Sequence, residues 1–383
     1  MTQDITSTDA LLEFIAANGH LREQVVQELD LRELGPSLQG ISGERSAFLG
    51  CRMDAETIVH LYRSGADLFP PLAEGMRLPF RPYRSGLYTV DELYEGFDPA
   101  VSGSFERSAR DSQIYRYFTA RREAEGPISI MEALAMRLHD HAIEDALTGL
   151  LRDYQAPGEH RVAAIMGGHA MRRGEPAYRE IAELARGLAR RGYLVATGGG
   201  PGAMEAGNLG AYLAPRADDA LDQAIELLAR EVDYHEHHYL QLALEVRERW
   251  PAEGAGRSLA IPTWFYGHEP SNMFASDIAK YFANSVREDG LLAIATAGVI
   301  YAPGSAGTVQ EIFMDVCQNH YVTFEVVSPM VFLSSEYWTK TLPVWPLLEA
   351  MSAGRAWGGH IGLADGAEEA LGFLLGHPPF VPG

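Results

Sequence analysis

From Arg161 onwards, short apolar runs alternate with longer segments whose apolar residues recur at helical spacing. This alternation predicts parallel strands joined by crossover helices, because a parallel pair needs a connection long enough to hold a helix. The predicted strands cover 161–166, 193–197, 258–262, 299–302 and 329–333, and the predicted helices cover 176–191, 203–213, 272–286, 307–318 and 366–375. We therefore expect a Rossmann-like, doubly wound α/β sheet that binds its ligand at the carboxyl ends of the strands.

The first 155 residues have a different pattern. Apolar residues recur at helical spacing over 11–29 and 128–151, and a segment rich in proline, glycine and aromatic residues lies between them at 69–104. The turn-prone residues Gln155 to Gly158 suggest a linker. We expect a mainly helical extension or domain over 1–155, a nucleotide-binding domain over 156–383, and no internal repeat. A lid, a dimerisation element and a separate binding domain all remain open as the role of residues 1–155.

Composition and charge exclude several classes of protein. A net charge of −21 argues against a general nucleic-acid binder, which needs a basic surface. The two cysteines, Cys51 and Cys317, have no metal-type spacing and form no disulfide framework, which favours a reducing compartment. The polar N-terminus does not resemble a secretory signal, and no apolar run is long enough to cross a bilayer. We expect a cytoplasmic protein with no membrane or nucleic-acid partner.

Three of the predicted strands end in glycine-rich turns, at 166–169 (MGGH), 197–207 (TGGGPGAMEAG) and 302–311 (APGSAGTVQE). Glycine lets a ligand approach the backbone, and a helix that begins directly afterwards favours an anion. None of the turns has the spacing of a P-loop or of a dinucleotide fingerprint. A single turn of this kind is also compatible with an ordinary tight turn. Together they predict a phosphate and sugar pocket with these candidate binding residues: Gly167, Gly168, Gly199, Gly200, Gly202, Met204, Glu205, Gly304, Ser305, Ala306, Gly307 and Thr308.

The motifs TGGGPGAMEAGNLGA and APGSAGTVQE resemble the paired signatures of the LONELY GUY (LOG) family, formerly called lysine decarboxylase-like. The GPGAM form is most similar to the larger members, the nucleotide 5'-monophosphate nucleosidases, and the resemblance covers about 161–375. It implies a phosphoribohydrolase that cleaves the N-glycosidic bond of a nucleoside 5'-monophosphate to give free base and ribose 5-phosphate. It also implies that no cofactor is used and that the protein is a homodimer or a larger homo-oligomer.

The resemblance assigns catalysis to Glu311 and Arg287. A carboxylate at the position of Glu311 can stabilise positive charge at the anomeric carbon. The alternative is that Glu311 only stabilises the start of its helix, because an acid there interacts favourably with the helix dipole. Arg287 is expected to bind phosphate or position Glu311, or else to form a surface ion pair with Glu288 or Asp289. Ser305 replaces a family glycine, and the family's basic pair is reduced to Arg287. A non-catalytic nucleotide-sensing protein of the same fold therefore remains the alternative.

Other residues have two interpretations each. Glu205 is expected either to bind ribose hydroxyls or to stabilise the start of its helix. His169 is expected to line the base or sugar side of the site. Asn208 either lines the site or packs. His235 and His238 share a helix face, but no second cluster has metal spacing, so we predict no metal site. The aromatic group at 264–268 either stacks on a base or packs in the core.

Overall fold

The computed structural model describes residues 4–124, 126, 128–156, 159–267 and 269–382. The chain forms two compact units, one made of Met1–Leu87 with Tyr117–Leu147 and the other of Tyr88–Arg116 with Thr148–Gly383. The division predicted at residue 155 stays a prediction. The packing units run differently, because Tyr88–Arg116 belongs with the C-terminal residues. Pro157 and Gly158 of the predicted linker lie outside the described residues.

The first unit contains a four-stranded parallel sheet whose strands follow one another in chain order. A helix follows each strand. In chain order the elements are β1 (Asp4–Ile5), α1 (Thr8–Asn18), β2 (Val25–Gln27), α2 (Gly35–Leu38), β3 (Ala47–Leu49), α3 (Ala55–Arg63), β4 (Asp67–Phe69) and α4 (Leu72–Met76). The helix predicted over 11–29 is correct only in its first half, because Gly19 ends α1 in the left-handed conformation.

The backbone of this unit repeats. Two residues before β2, β3 and β4, the residues Glu23, Arg45 and Gly65 each have positive φ, with values of 60°, 58° and 91°. Glu28 and Gly50, which directly follow β2 and β3, also have positive φ, with values of 52° and 66°. The expectation of no internal repeat was therefore wrong. The repeat escapes the sequence because residues of different type occupy equivalent positions, and only the backbone conformation recurs.

The next stretch is helical. It contains α5 (Val90–Leu93), α6 (Ser104–Ser108), α7 (Arg110–Glu123) and α8 (Ile130–Leu151). The helix predicted over 128–151 is confirmed by α8. No helix among the residues described has both the length and the apolar composition needed to cross a membrane.

The second unit contains a seven-stranded parallel sheet in the order β11-β10-β9-β5-β6-β7-β8. The strands are β5 (Val162–Met166), β6 (Leu194–Thr197), β7 (Ser258–Ala260), β8 (Asp277–Ile278), β9 (Gly298–Tyr301), β10 (Met330–Leu333) and β11 (Ile361–Ala364). The helices are α9 (Pro176–Ala189), α10 (Ala203–Tyr212), α11 (Asp219–Leu228), α12 (His237–Arg249), α13 (Asn284–Ile294), α14 (Ala306–Tyr321), α15 (Trp345–Ser352) and α16 (Ala367–Gly376). The predicted Rossmann-like α/β fold is confirmed.

The strand order reverses at the centre of this sheet. β5 pairs with β6 on one side and with β9 on the other, so the chain winds outward in both directions from β5. All residues of β5, β6 and β9 are buried, as expected for parallel strands covered on both faces. The loops that leave β5 and β9 both emerge at the carboxyl edge of the sheet at this point, which is where ligands bind in folds of this kind.

One predicted helix is replaced by other structure. The prediction places a helix over 272–286, whereas β8 occupies Asp277–Ile278 and α13 begins only at Asn284. Ile278 exchanges two backbone hydrogen bonds of 2.9 Å with Tyr88, so its peptide groups pair in a sheet. The side chains of Asn272 and Lys280 are buried and bonded to distant partners. These tertiary contacts override the local helical pattern.

Candidate functional site

The three glycine turns meet at the centre of the seven-stranded sheet. The Gly168 amide donates to the Pro303 carbonyl (3.0 Å), and the Ala203 amide donates to the Gly168 carbonyl (3.2 Å). The turn after β5 is therefore hydrogen-bonded to both of the others. Gly202 has a φ of 70°, and a Cβ there would lie 2.6 Å from the Gly168 carbonyl oxygen. Only glycine fits where these two turns touch.

The turns enclose a cavity of about 510 Å³. Most of the predicted site residues line it, namely Gly167, Gly168, Gly199, Gly200, Met204, Arg287, Ser305, Ala306, Gly307, Thr308 and Glu311. Gly202 and Gly304 are not among its lining residues but pack against the turns that line it. A Cβ on Gly304 would lie 2.2 Å from Thr308 Oγ1 and 3.1 Å from the Gly168 amide nitrogen. The structure thus places most of the site residues predicted from the sequence around one cavity.

The first turn of α14 faces this cavity. Ser305 is its N-cap, and Ala306, Gly307 and Thr308 follow it. The first amides of a helix have no partner within the helix, so this end is suited to an anion. Ser305 has a φ of −107° and makes no side-chain cap to the helix. Because this φ is outside the left-handed region, a serine occupies the position without backbone strain.

Arg287 and Glu311 form an ion pair on the cavity wall. Arg287 Nη1 lies 3.4 Å from Glu311 Oε1, and Arg287 Nε donates to the Ile261 carbonyl at 2.9 Å. Their side chains are 13% and 12% exposed. Burial raises the pKa of Glu311 above its usual value, and the neighbouring guanidinium opposes that rise. The expected surface pair of Arg287 with Glu288 or Asp289 is not formed, because the guanidinium turns inward to Glu311.

Glu205 does not line the cavity, so its predicted contact with ribose is not seen. It is buried, and Arg173 holds it through bonds of 2.8 and 2.5 Å. The hydroxyls of Tyr178 and Tyr239 each donate to the same carboxylate at 2.9 Å. With all its partners inside the unit, this carboxylate holds α9, α10 and α12 together instead of facing a ligand.

Asn208 lies behind the second glycine turn. Its Oδ1 accepts from Thr197 Oγ1 (2.7 Å) and from Asn272 Nδ2 (2.9 Å), and its Nδ2 donates to Ser258 Oγ (3.1 Å). Thr197 Oγ1 in turn accepts from the Gly199 amide at 3.1 Å. Of the two expectations, the packing role is the one observed, since this buried network fixes the turn from below.

The sequence interpretation missed Glu269, Glu288 and Gln310 as parts of the cavity wall, whereas Tyr266 and His169 were among its candidates. Tyr266 donates through its hydroxyl to Glu288 Oε1 (3.0 Å), and Gln310 Nε2 donates to Glu288 Oε2 (2.8 Å). Glu269 lies 3.5 Å from His169 Nδ1, and all of these residues line the cavity. Glu269 could have been found from its position, because it follows β7 and so leaves the same edge of the sheet.

The remaining candidates lie elsewhere. Trp264 is buried and donates through Nε1 to Asp111 Oδ1 at 2.7 Å, so this part of the aromatic group packs in the core. His268 lies outside the described residues. His235 Nδ1 is 2.8 Å from Asp233 Oδ1, and His238 bonds to Gln241. In the described part of the chain, no group of three or more His, Cys, Asp or Glu side chains converges as a metal site requires.

No protein-family model matches the sequence, and the search of curated proteins gave no match. Among solved structures, the chain is similar to the molybdenum cofactor binding protein of the phototrophic bacterium Rippkaea orientalis, with 15% identity and a TM-score of 0.34 over 57% of this chain and 97% of that one. It is also similar to the molybdenum cofactor carrier protein of Chlamydomonas reinhardtii, with 15% identity and a TM-score of 0.36 over 57% of this chain and all of that one. Likeness at these TM-scores says nothing about function, and the fold of this chain follows from its own strand order.

Proposed function

We propose that the second unit is a nucleoside 5'-monophosphate phosphoribohydrolase, which hydrolyses the N-glycosidic bond to release free base and ribose 5-phosphate. The observation that carries this proposal is the pairing of Glu311 with Arg287 on the wall of a cavity that also contains the start of α14. One cavity thus offers an anion-binding helix end and an electron-rich carboxylate. Those are the two groups that phosphate binding and glycosidic cleavage need.

The phosphate binds at the start of α14 in this proposal. The amides of Ala306, Gly307 and Thr308 and the hydroxyl of Thr308 are the available donors, and the glycines of the other turns leave room for the ribose. Binding uses main-chain groups, so the strongly negative net charge of the chain does not oppose it locally. A nucleic-acid polymer would meet that negative surface, which favours a single nucleotide as the ligand.

Glu311 acts on the reacting carbon. As the bond from the anomeric carbon to the base breaks, positive charge develops on the sugar, and an ionised carboxylate beside it stabilises that charge. The same carboxylate orients the attacking water and accepts its proton. Burial favours the protonated acid, and the Arg287 guanidinium counteracts this by favouring the carboxylate. Arg287 is thus a positioning residue as well as a phosphate contact.

The test is incubation of the purified protein with a panel of nucleoside 5'-monophosphates, with free base and ribose 5-phosphate both quantified. The corresponding nucleosides, which lack the phosphate, are the matched control. We expect release from one or more monophosphates and little from the nucleosides. Nucleotide binding without release would instead identify a non-catalytic nucleotide-binding protein, and absence of binding would contradict both functions.

A further inference from the structure

Part of the cavity wall carries a fixed negative charge that the hydrolysis itself does not use. Glu288, on α13, is held through both carboxylate oxygens, by the Tyr266 hydroxyl at 3.0 Å and by Gln310 Nε2 at 2.8 Å. Tyr266 is itself held by Asn284, whose Nδ2 donates to the hydroxyl at 2.8 Å. The carboxylate therefore has a defined position before any ligand arrives.

Within the described part of the chain, Glu288 has no compensating charge. Arg287 precedes it in sequence but turns to Glu311, and across the residues described here no positively charged side chain lies within ion-pair distance of Glu288. Tyr266, whose hydroxyl anchors it, is 66% exposed and lines the same cavity. A carboxylate and an accessible aromatic ring thus stand side by side on the wall.

The two ends of a bound nucleotide meet different environments. The amides at the start of α14 favour the negative phosphate, and a carboxylate beside an aromatic ring favours a positive group, through Coulomb attraction and through contact with the ring face. A neutral base gains hydrogen bonds and contact with the ring from such a wall. A base with positive charge gains the full charge interaction.

Resting on the proposed function, we propose that Glu288 and Tyr266 select a substrate whose base is cationic: a nucleoside 5'-monophosphate with a quaternary glycosidic nitrogen, of the ribosylpyridinium type. The specificity-determining residue is Glu288, and Tyr266 is the ring on which the charged base rests. Hydrolysis of neutral-base nucleotides is then the weaker activity of the same site.

The chemistry of the reaction fits this substrate class. When the bond between the anomeric carbon and a quaternary nitrogen breaks, the electron pair stays on nitrogen, and the base leaves as a neutral molecule without being protonated. The water oxygen bonds to the anomeric carbon, and its proton passes through Glu311 to solvent, which gives ribose 5-phosphate. A neutral base needs a proton from a general acid to leave, and a cationic base does not.

The experiment compares two ligands of nearly the same shape and different charge. These are nicotinamide mononucleotide, whose pyridinium ring is positive, and its reduced dihydropyridine form, whose ring is neutral. Affinities are measured by calorimetry in the Glu311→Gln background, after checking that turnover is negligible during the titration, with and without Glu288→Gln. Asp289→Asn is the matched control, because it removes the same charge one residue away, at an exposed position that does not line the cavity.

We expect the cationic form to bind about five- to tenfold more tightly than the neutral form, the size of one partly exposed charge interaction. Glu288→Gln should bring this ratio close to one, and Asp289→Asn should leave it unchanged. A ratio near one with Glu288 intact, or a ratio that survives Glu288→Gln, overturns the inference. Base release from any monophosphate by the wild-type protein keeps the proposed function in that case. If the wild-type protein releases base from no monophosphate, the proposed function and this inference both fall.

Discussion

At the scale of single residues, the partners of each buried carboxylate decide what it does. Glu205 is neutralised by Arg173 and is closed off from the cavity, whereas Glu311 shares Arg287 and stays on the wall. Asp315, one helical turn after Glu311, is bonded to the neutral groups of Tyr301 (2.8 Å) and Asn319 (3.4 Å). The neighbours of each acid therefore decide whether it is paired inside the fold or stays on the cavity wall.

The first prediction concerns pH and Asp315. Burial raises the pKa of this carboxyl from 3.8 to about 7. The native state then holds a proton that the unfolded chain releases, so this group's contribution to stability falls as pH rises between those two values. Asp315→Asn keeps an acceptor for Tyr301 and removes the ionisation. The free energy of unfolding of the variant, relative to wild type, should therefore be higher at pH 8 than at pH 5 by about 2 kcal/mol.

Urea unfolding at the two pH values measures this difference, and the exposed Asp289→Asn serves as the control. A relative stability of Asp315→Asn that does not change with pH would show that Asp315 ionises normally in the native state.

The second prediction separates the two interpretations of Glu205. Glu205→Ala leaves the Arg173 guanidinium buried and unpaired, so the free energy of unfolding should fall by about 3–5 kcal/mol. The double variant Glu205→Ala with Arg173→Met should recover part of this loss. Nucleotide affinity of the folded fraction should stay close to wild type. Normal stability with greatly weakened nucleotide binding would instead indicate that Glu205 contacts the ligand.

At the scale of elements, the site is made by turns that end parallel strands. The glycines at these positions were predictable from sequence, because each follows a continuous buried run and precedes a helix. The strands of the first unit were not predictable in this way. They are only two or three residues long, too short for a periodic pattern, and β2 falls inside a stretch with helical spacing. The start of α13 could not be predicted, because Asn272 and Lys280 have the polar character of exposed helix residues. Only their distant partners explain why they are buried.

The third prediction tests the contact between two turns. Gly304→Val places a side chain against Thr308 and the Gly168 amide, where even a Cβ has no room. The displaced start of α14 should bind nucleotide at least about tenfold more weakly, the effect of losing one or two charge-assisted bonds to phosphate. Gly372→Val, on the exposed side of α16 with open space around it, is the control.

Circular dichroism should show that both glycine variants are folded. Wild-type affinity in a folded Gly304→Val protein would remove this loop from the phosphate site.

At the scale of the whole molecule, the second unit includes the segment Tyr88–Arg116, which lies outside the domain predicted over 156–383. Tyr88 extends the sheet at Ile278, and Asp111 receives the Lys280 ammonium at 2.8 Å in a fully buried position. No local sequence pattern predicts such a pair, because it joins residues that are 169 positions apart. The sequence could therefore predict the sheet and its turns but not the full set of residues that the sheet needs.

The fourth prediction follows from this pair. Asp111→Ala leaves Lys280 buried without its counter-charge, and the free energy of unfolding should fall by about 3–5 kcal/mol. Asp111→Ala combined with Lys280→Met removes both charges and should be more stable than Asp111→Ala alone. Thermal and urea unfolding of the two variants measures this ordering. If the single variant is as stable as wild type, the segment is not anchored by this contact.

The most direct test of the account is the turnover of Glu311→Gln on a nucleoside 5'-monophosphate that the wild-type protein hydrolyses. The substitution keeps the shape of the side chain and removes the charge that stabilises the developing positive carbon. We predict that kcat falls by about a hundredfold or more while KM changes little, because the carboxylate acts in the transition state and the phosphate is held by α14 and Arg287. A Glu311→Gln protein that releases base at the wild-type rate would contradict the account.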